Sequence, residues 1–202
     1  MHWQRLDRET SVKVIDSVKS DANAGLFSIG TSEVQRARLP FYKDYFVYKV
    51  TNFASLPSFS FEYLGDGTFF QYLDGTEAPI IAVNDKGQLN LDHNNVLAYL
   101  EFYFAHAIGE DGDIILINNP HDMPLLESLD IDSYNAVFAQ HKPVQIHYDG
   151  GYDAYEIDAD LYKDSQVVRA RIEVNSKGRV TIKDQKMTMQ QVSGSGYPEA
   201  II

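Results

Sequence analysis

The sequence predicts an α+β protein: antiparallel sheet(s) with a C-terminal four-stranded meander packed around a buried central helix. Three observations lead there. Leu89–Ile117 reads as a cap, a nearly all-apolar helix, a glycine stop and a buried strand. Residues 144–189 fall into four runs of alternating apolar and polar side chains between short turn sequences, the two-residue period of half-buried strands. Strands elsewhere are also joined mostly by hairpin-length loops, which argues against a doubly wound parallel sheet.

Arg8–Ala24 carries Val12, Ile15, Val18 and Ala22 at steps of three and four, with Gly25 as a stop, and is expected to be an amphipathic helix. A short strand through Val12 and Val14 is the competing reading. Leu26–Ile29 reads as a short strand before a polar connection. Tyr45–Phe53 is β-branched and aromatic on both alternations, so it predicts a strand with neither face fully wet. Ser58–Leu64 and Phe69–Leu73 flank Gly65-Asp-Gly67, a glycine-containing hairpin loop. Pro79–Val83 reads as a strand with proline at its start, where a missing N–H is tolerated. Asp85-Lys-Gly87 then turns the chain toward Leu89.

In the central segment Asp92 is the expected N-cap, with Leu91 and Val96 placed as a hydrophobic staple. His93–Ile108 continues without a breaker to Gly109, a residue that tolerates the left-handed conformation past a helix end. Val96, Leu100, Tyr103, Phe104 and Ala107 share one face. Asn95, Tyr99, Phe102 and His106 form a second stripe, with Glu101 between the two. A helix apolar nearly all round is normally buried on more than one side, so Glu101 and His106 are the ionisable groups expected to be partly buried.

After an acidic turn at 110–113, Ile114–Ile117 predicts a strand covered on both faces. Pro120–Leu129 reads as one short helix, and Asp132 as the cap of another through Tyr134, Val137, Phe138 and Gln140. The meander is expected at Val144–Tyr148, Asp153–Tyr162, Val167–Asn175 and Arg179–Met189. A two-residue Gly150-Gly151 loop would pair Ile146 with Tyr155 and Val144 with Ile157. A Lys163–Gln166 loop would pair Leu161 with Val168, Asp160 with Arg169 and Asp158 with Arg171. A Ser176-Lys-Gly178 loop would pair Ile172 with Ile182 and Val174 with Val180. One face of this sheet is then apolar and the other charged, and the acidic run 153–160 is expected to be its wet side. The domain expectation is one globular domain over 1–192, with 143–192 as an alternative β lobe, and a flexible Gly/Ser tail at 193–202.

Composition narrows the functional classes. A net charge of −12 argues against binding a phosphate backbone or an anionic membrane surface, both of which need a basic footprint. With no cysteine there is no disulfide, thiolate zinc site or cysteine nucleophile. No apolar run approaches the length of a membrane span and Met1–Glu9 lacks a signal-peptide core, so the expected location is cytoplasmic.

Chemistry-bearing motifs are absent: no phosphate loop, no dinucleotide fingerprint and no nucleophile elbow stands in a strand–turn–helix context. The six histidines give no pair at metal-ligand spacing, and Asp111 with Asp113 begins a calcium loop that Ile115 and Ile117 do not continue, so neither metal nor cofactor is expected. His147 reads as a surface residue near Glu156. Two functional expectations follow. The first is a non-enzymatic binding or regulatory protein acting on a protein partner or on a second copy of itself, with Tyr and Phe supplying the contacts. The second is an enzyme or small-ligand binder with a pocket between helix 93–108 and the sheet. There Tyr99, Phe102 and His106 would bind ligand, and Glu101 and His106 are the catalytic candidates.

Overall fold

The computed structural model describes residues 1–19, 24–108 and 112–189. It is α+β, with two five-stranded antiparallel sheets. The chain divides into two compact units, Met1–Tyr99 and Leu100–Ile202. The division falls inside the central helix.

In the first unit, β1 (Trp3–Arg5), β2 (Ser32–Arg38), β3 (Phe46–Asn52), β4 (Phe59–Gly65) and β5 (Phe70–Tyr72) lie side by side in chain order. As its composition predicts, β3 buries residues on both alternations. The first helix, α1 (Arg8–Val18), starts at Asp7, whose carboxylate accepts from the Thr10 N–H at 2.9 Å. Its buried stripe is Ser11, Val14, Ile15 and Val18, so Val14 takes the place expected for Val12. Val14 lies one turn before Val18 and therefore shares its face, whereas Val12 points to the flank. Val14, Ile15 and Val18 join Phe27, Val34, Tyr48, Val50 and Tyr63 in one buried cluster, which seats α1 on that face of the sheet.

Three stretches differ from the expectation. Leu26–Ile29 is not a strand: Ala24–Leu26 forms a 3-10 turn and the chain bends again before Ser32. The strand is the polar stretch that follows, β2, which buries Val34 from one face and Ala37 from the other. Pro79–Val83 lies in a helix, α2 (Ala78–Val83), with proline in the first turn, where no intrahelical donor is required. An unbroken apolar run of this length has no period by which to tell strand from helix.

The central helix, α3, spans Val96–His106. Asp92 caps the turn before it by accepting from the Asn94 and Asn95 N–H groups at 2.7 and 3.0 Å. Gly109, the first half of the acidic turn after it (110–111), Ala22 and the 193–202 tail lie outside the described residues.

The second unit contains β6 (Ile115–Ile117), α4 (Ile131–Gln140) and the meander β7 (Gln145–Asp149), β8 (Ala154–Lys163), β9 (Gln166–Asn175) and β10 (Val180–Met189). In place of one helix over Pro120–Leu129 there are two 3-10 turns, Pro120–Asp122 and Leu126–Ser128. Pro124 stands between them and has no N–H to carry a helix through. The cap of α4 is Asp130 rather than Asp132, accepting from Asp132 and Ser133 N–H at 3.0 and 2.9 Å.

The β8–β9 register is the expected one, with Leu161 opposite Val168, Asp160 opposite Arg169 and Asp158 opposite Arg171. Pairing continues to Lys163–Gln166, so the turn is only Asp164-Ser165, both left-handed. The β9–β10 ladder also starts as expected, from Val174–Val180 and Ile172–Ile182 past a left-handed Gly178. Beyond Ile182 a bulge moves it by one residue. On the other side of β8, the β7 register differs by two: Ile146 faces Ile157, and the connection runs through Gly150–Asp153. A two-residue offset keeps every side chain on its own face.

Gly65 sets the β4–β5 hairpin by close approach. A Cβ there would stand 2.8 Å from the Phe69 carbonyl oxygen and against the Phe70 ring. Gly65→Ala is expected to lower stability by about 1–3 kcal/mol, read from denaturant unfolding, because backbone rather than a flexible side chain must move.

Candidate functional site

The four residues singled out on the central helix separate into different roles. Tyr99 is fully buried in the first unit, where its hydroxyl accepts from Asn84 Nδ2 at 2.9 Å. Asn84 Oδ1 in turn accepts from the Tyr42 hydroxyl at 2.7 Å. Burial pushes both phenols far above their ordinary value, so neither is a proton donor to chemistry near neutral pH. Phe102 is buried and His106 stacks on it with ring centroids 4.2 Å apart. The Nδ1 of His106 lies 2.8 Å from the Phe102 carbonyl oxygen, which makes it the protonated ring nitrogen. Asn95, the fourth member of that stripe, is buried and bonded to the Asn90 carbonyl at 2.8 Å. Three of the four members of the stripe are thus closed to an outside partner.

Glu101 is exposed, yet partial desolvation holds its carboxyl above the usual carboxylate range, with the charge of Asp122 adding to the effect. A carboxyl raised in this way is penalised only when ionised. Glu101→Gln is therefore expected to stabilise the protein at pH 7 and to have no effect below the ordinary carboxylate range. Thermal unfolding of both proteins across pH 3–7 measures this, and a constant difference would contradict it.

Sequence reasoning placed Asp160 on a wet sheet face, and the structure corrects this. Asp160 is 3% exposed. Its carboxylate accepts from Arg169 Nη1 at 3.2 Å and from the Lys142 N–H at 3.0 Å. His141 Nδ1 stands 2.9 Å from the same carboxylate, but its ring N–H is not aimed along that line. Arg169 also donates to the Lys142, Pro143 and Asp158 carbonyls at 2.9, 3.2 and 2.9 Å. The cavity beside this cluster is about 10 Å³, room for roughly one water and no organic ligand. The cluster is structural.

Neighbouring Asp158–Arg171 fits the wet-face expectation better, with the guanidinium half exposed at 3.2 Å. Asp160→Ala is expected to cost about 3–5 kcal/mol, since Arg169 is left inside without its carboxylate. Arg171→Ala is expected to cost less than about 1 kcal/mol. Chemical denaturation of the two variants compares them directly.

Of the exposed large apolar side chains of this unit, Leu125, Ile131 and Phe138 lie on α4 or in the connection before it, while Ile108, Ile115, Tyr148, Tyr152 and Met187 are exposed singly elsewhere. Val137 points into a cluster with Ile117, Met123, Leu126 and Val167. Ile131 and Phe138, two turns apart along the helix, are 71% and 37% exposed. Tyr134 stacks on Phe138 with centroids 5.0 Å apart, and the His121 ring meets Phe138 edge-on at the same distance. Leu125, before the helix, holds a left-handed backbone (φ 59°), a strained choice for leucine, and leaves its side chain 60% exposed. The sequence signal was present, because Ile131, Tyr134 and Phe138 fall at helical spacing. The sequence reading placed Tyr134, Val137, Phe138 and Gln140 on this helix without assigning its faces.

The class that fold and surface define is a two-unit α+β protein with an exposed apolar helix face. Comparison with known proteins finds no match: no family model, no curated protein and no solved structure resembles the chain. Among the described residues no helix is long and apolar enough to cross a membrane, and no group of three or more His, Asp or Glu side chains is placed to hold a metal ion.

Proposed function

We propose that this chain works by non-covalent association, with the exposed face of α4 as its contact surface for a partner protein. The observation that carries the reading is the pair Ile131 and Phe138, apolar side chains on one face of α4 that meet water, with half-buried Tyr134 stacked on Phe138 and packed on the core between them. Burying a helix face of this kind in an apolar groove is a recurring mode of recognition.

Charge selects the partner. Residues 100–202 hold seventeen Asp and Glu against eight Lys and Arg. Asp122, Glu127, Asp130 and Asp132, all exposed, belong to α4 or to the turns before it. A second copy brings the same negative charge to the contact, so a partner with an apolar groove and a basic rim is favoured over self-association.

A photo-crosslinking residue at Asn135 tests this in the cells that make the protein. The expected result is a discrete adduct with another protein, lost in Ile131→Asp/Phe138→Asp and weakened by raised salt during capture. An adduct at twice the mass of the chain would assign the face to self-association instead, and no adduct would refute the contact. Ile131 is largely exposed, and Ile131→Asp alone is expected to unfold within about 0.5 kcal/mol of the parent. Phe138→Asp, which removes ring contacts with Tyr134 and His121, is expected to cost about 1–2 kcal/mol and leave the chain folded.

A further inference from the structure

In the first unit, strand alternation and register bring one set of donors to one end of a sheet face. Gln4 lies opposite Arg36 and Arg36 opposite Tyr48, while Arg38 lies opposite Phe46. These positions share a face with Val34 and Val50, the part of the sheet on which α1 is seated. Past that covered part, His2, Gln4, Arg36, Arg38 and Phe46 line a cleft of about 420 Å³. That volume is in the range of small-molecule sites and well beyond a single inorganic ion.

The two guanidiniums are differently held. Arg36 lies 4.9 Å above the Phe46 ring, which supports it from below, and its charge bears on the Tyr48 hydroxyl. Arg38 is exposed at the mouth. Three other arginines face carboxylates: Arg5 with Glu33, Arg169 with Asp160 and Arg171 with Asp158. Among the described residues no carboxylate lies within ion-pairing distance of Arg36 or Arg38, and none lines the cleft. The acidic side chain that acts on Tyr48, Asp66, is turned onto its own hairpin, accepting from the Thr68 and Phe69 N–H groups at 2.8 Å each. In a chain of net charge −12, two cations left open to the same cleft form a local field of the opposite sign.

We propose that this cleft binds a small organic phosphate, with Arg36 and Arg38 clamping the phosphate group and Phe46 supporting the apolar part of the molecule. Two planar forks match the oxygens of a dianion better than those of a monoanionic carboxylate. Gln4 and His2 supply further polar contacts at the wall. The site lies wholly in the first unit and is independent of the α4 surface.

Isothermal titration calorimetry of the full chain with phenyl phosphate, inorganic phosphate and benzoate tests it. Phenyl phosphate is expected to bind more tightly than inorganic phosphate, on the order of tenfold, from burial of its ring. It is also expected to exceed benzoate and to weaken as salt rises. Arg38→Met, an exposed change that leaves the fold intact, is expected to reduce phenyl phosphate binding by roughly tenfold or more. Arg171→Met in the other unit is expected to leave it unchanged. Absence of saturable binding, or equal binding by Arg38→Met, would overturn the proposal. Tighter binding of benzoate would reassign the cleft to carboxylates.

Discussion

The second unit depends on one buried charge pair at a split in its sheet. Along one edge β8 changes partner: Ala154–Asp158 pairs with β7, and Asp160–Tyr162 pairs with β6. Where one partner begins and the other ends, backbone groups of the α4–β7 connection and of β8 itself would lose their ladder bonds. Arg169 and Asp160 take those places. Arg169 satisfies the carbonyls of Lys142, Pro143 and Asp158, and Asp160 satisfies the Lys142 N–H. Main-chain groups left unpaired away from water cost free energy comparable to a lost hydrogen bond, and here two side chains answer four main-chain groups, two of them part-buried. Each of those bonds is charge-assisted, and each charge is neutralised by the other.

The first unit handles its charges differently. Its sheet is a simple five-strand meander with no split edge, so no arginine is needed to mend backbone pairing. Arg5 is matched by Glu33 and Lys49 by Glu62, both across neighbouring strands. Arg36 and Arg38 remain on the α1 side of the sheet, where they line the cleft with Phe46. The same residue type therefore carries opposite meanings in the two units. Arg169 is consumed by the fold, and Arg38 stands open to whatever enters the cleft.

Legibility in the sequence followed the physics of each element. The β8–β9 and β9–β10 registers were readable because opposite charges and apolar partners align in only one register, and because the turn residues sit at its ends. The β7 register was not, because Gly150-Gly151 imitates a two-residue loop. The chain instead closes a longer turn in which Gly151 N–H bonds to Asp149 Oδ1 at 2.8 Å and the Tyr148 hydroxyl bonds to Asp153 Oδ1 at 2.7 Å. The error preserved the face of every residue, so the apolar side of the sheet was still right. The β2 strand was missed for another reason. Ser-Glu-Val-Gln-Arg-Ala-Arg lacks the apolar run that signals a strand, and its pairing comes from β3, which holds it by seven consecutive residue pairs. Tertiary context overrode local preference there.

Site residues were harder to read than the fold because alternation and helical spacing assign a side chain to a face and say nothing of what covers that face. Asp158 and Asp160 are equivalent in pattern, two apart on one strand, yet one is partly exposed and the other sealed by the α4–β7 connection. Val137 and Phe138 are adjacent apolar residues on one helix, and only Val137 points inward. Arg36 and Arg169 each begin an Arg-Ala-Arg sequence on a strand, and only Arg169 is met by a carboxylate. In each pair the deciding contact comes from another segment: the α4–β7 connection over Asp160, the cluster of Ile117, Met123, Leu126 and Val167 under Val137, and the carboxylate of Asp160 beside Arg169. Helical spacing made Tyr99 a candidate ligand contact and gave Phe138 a place on a helix, without saying what covers either side chain. Tyr99 is tied into an internal network, and Phe138 is turned outward. A function exercised through exposed apolar and unpaired cationic side chains leaves few motif-like traces, which accords with a chain whose elements are legible and whose chemistry is not.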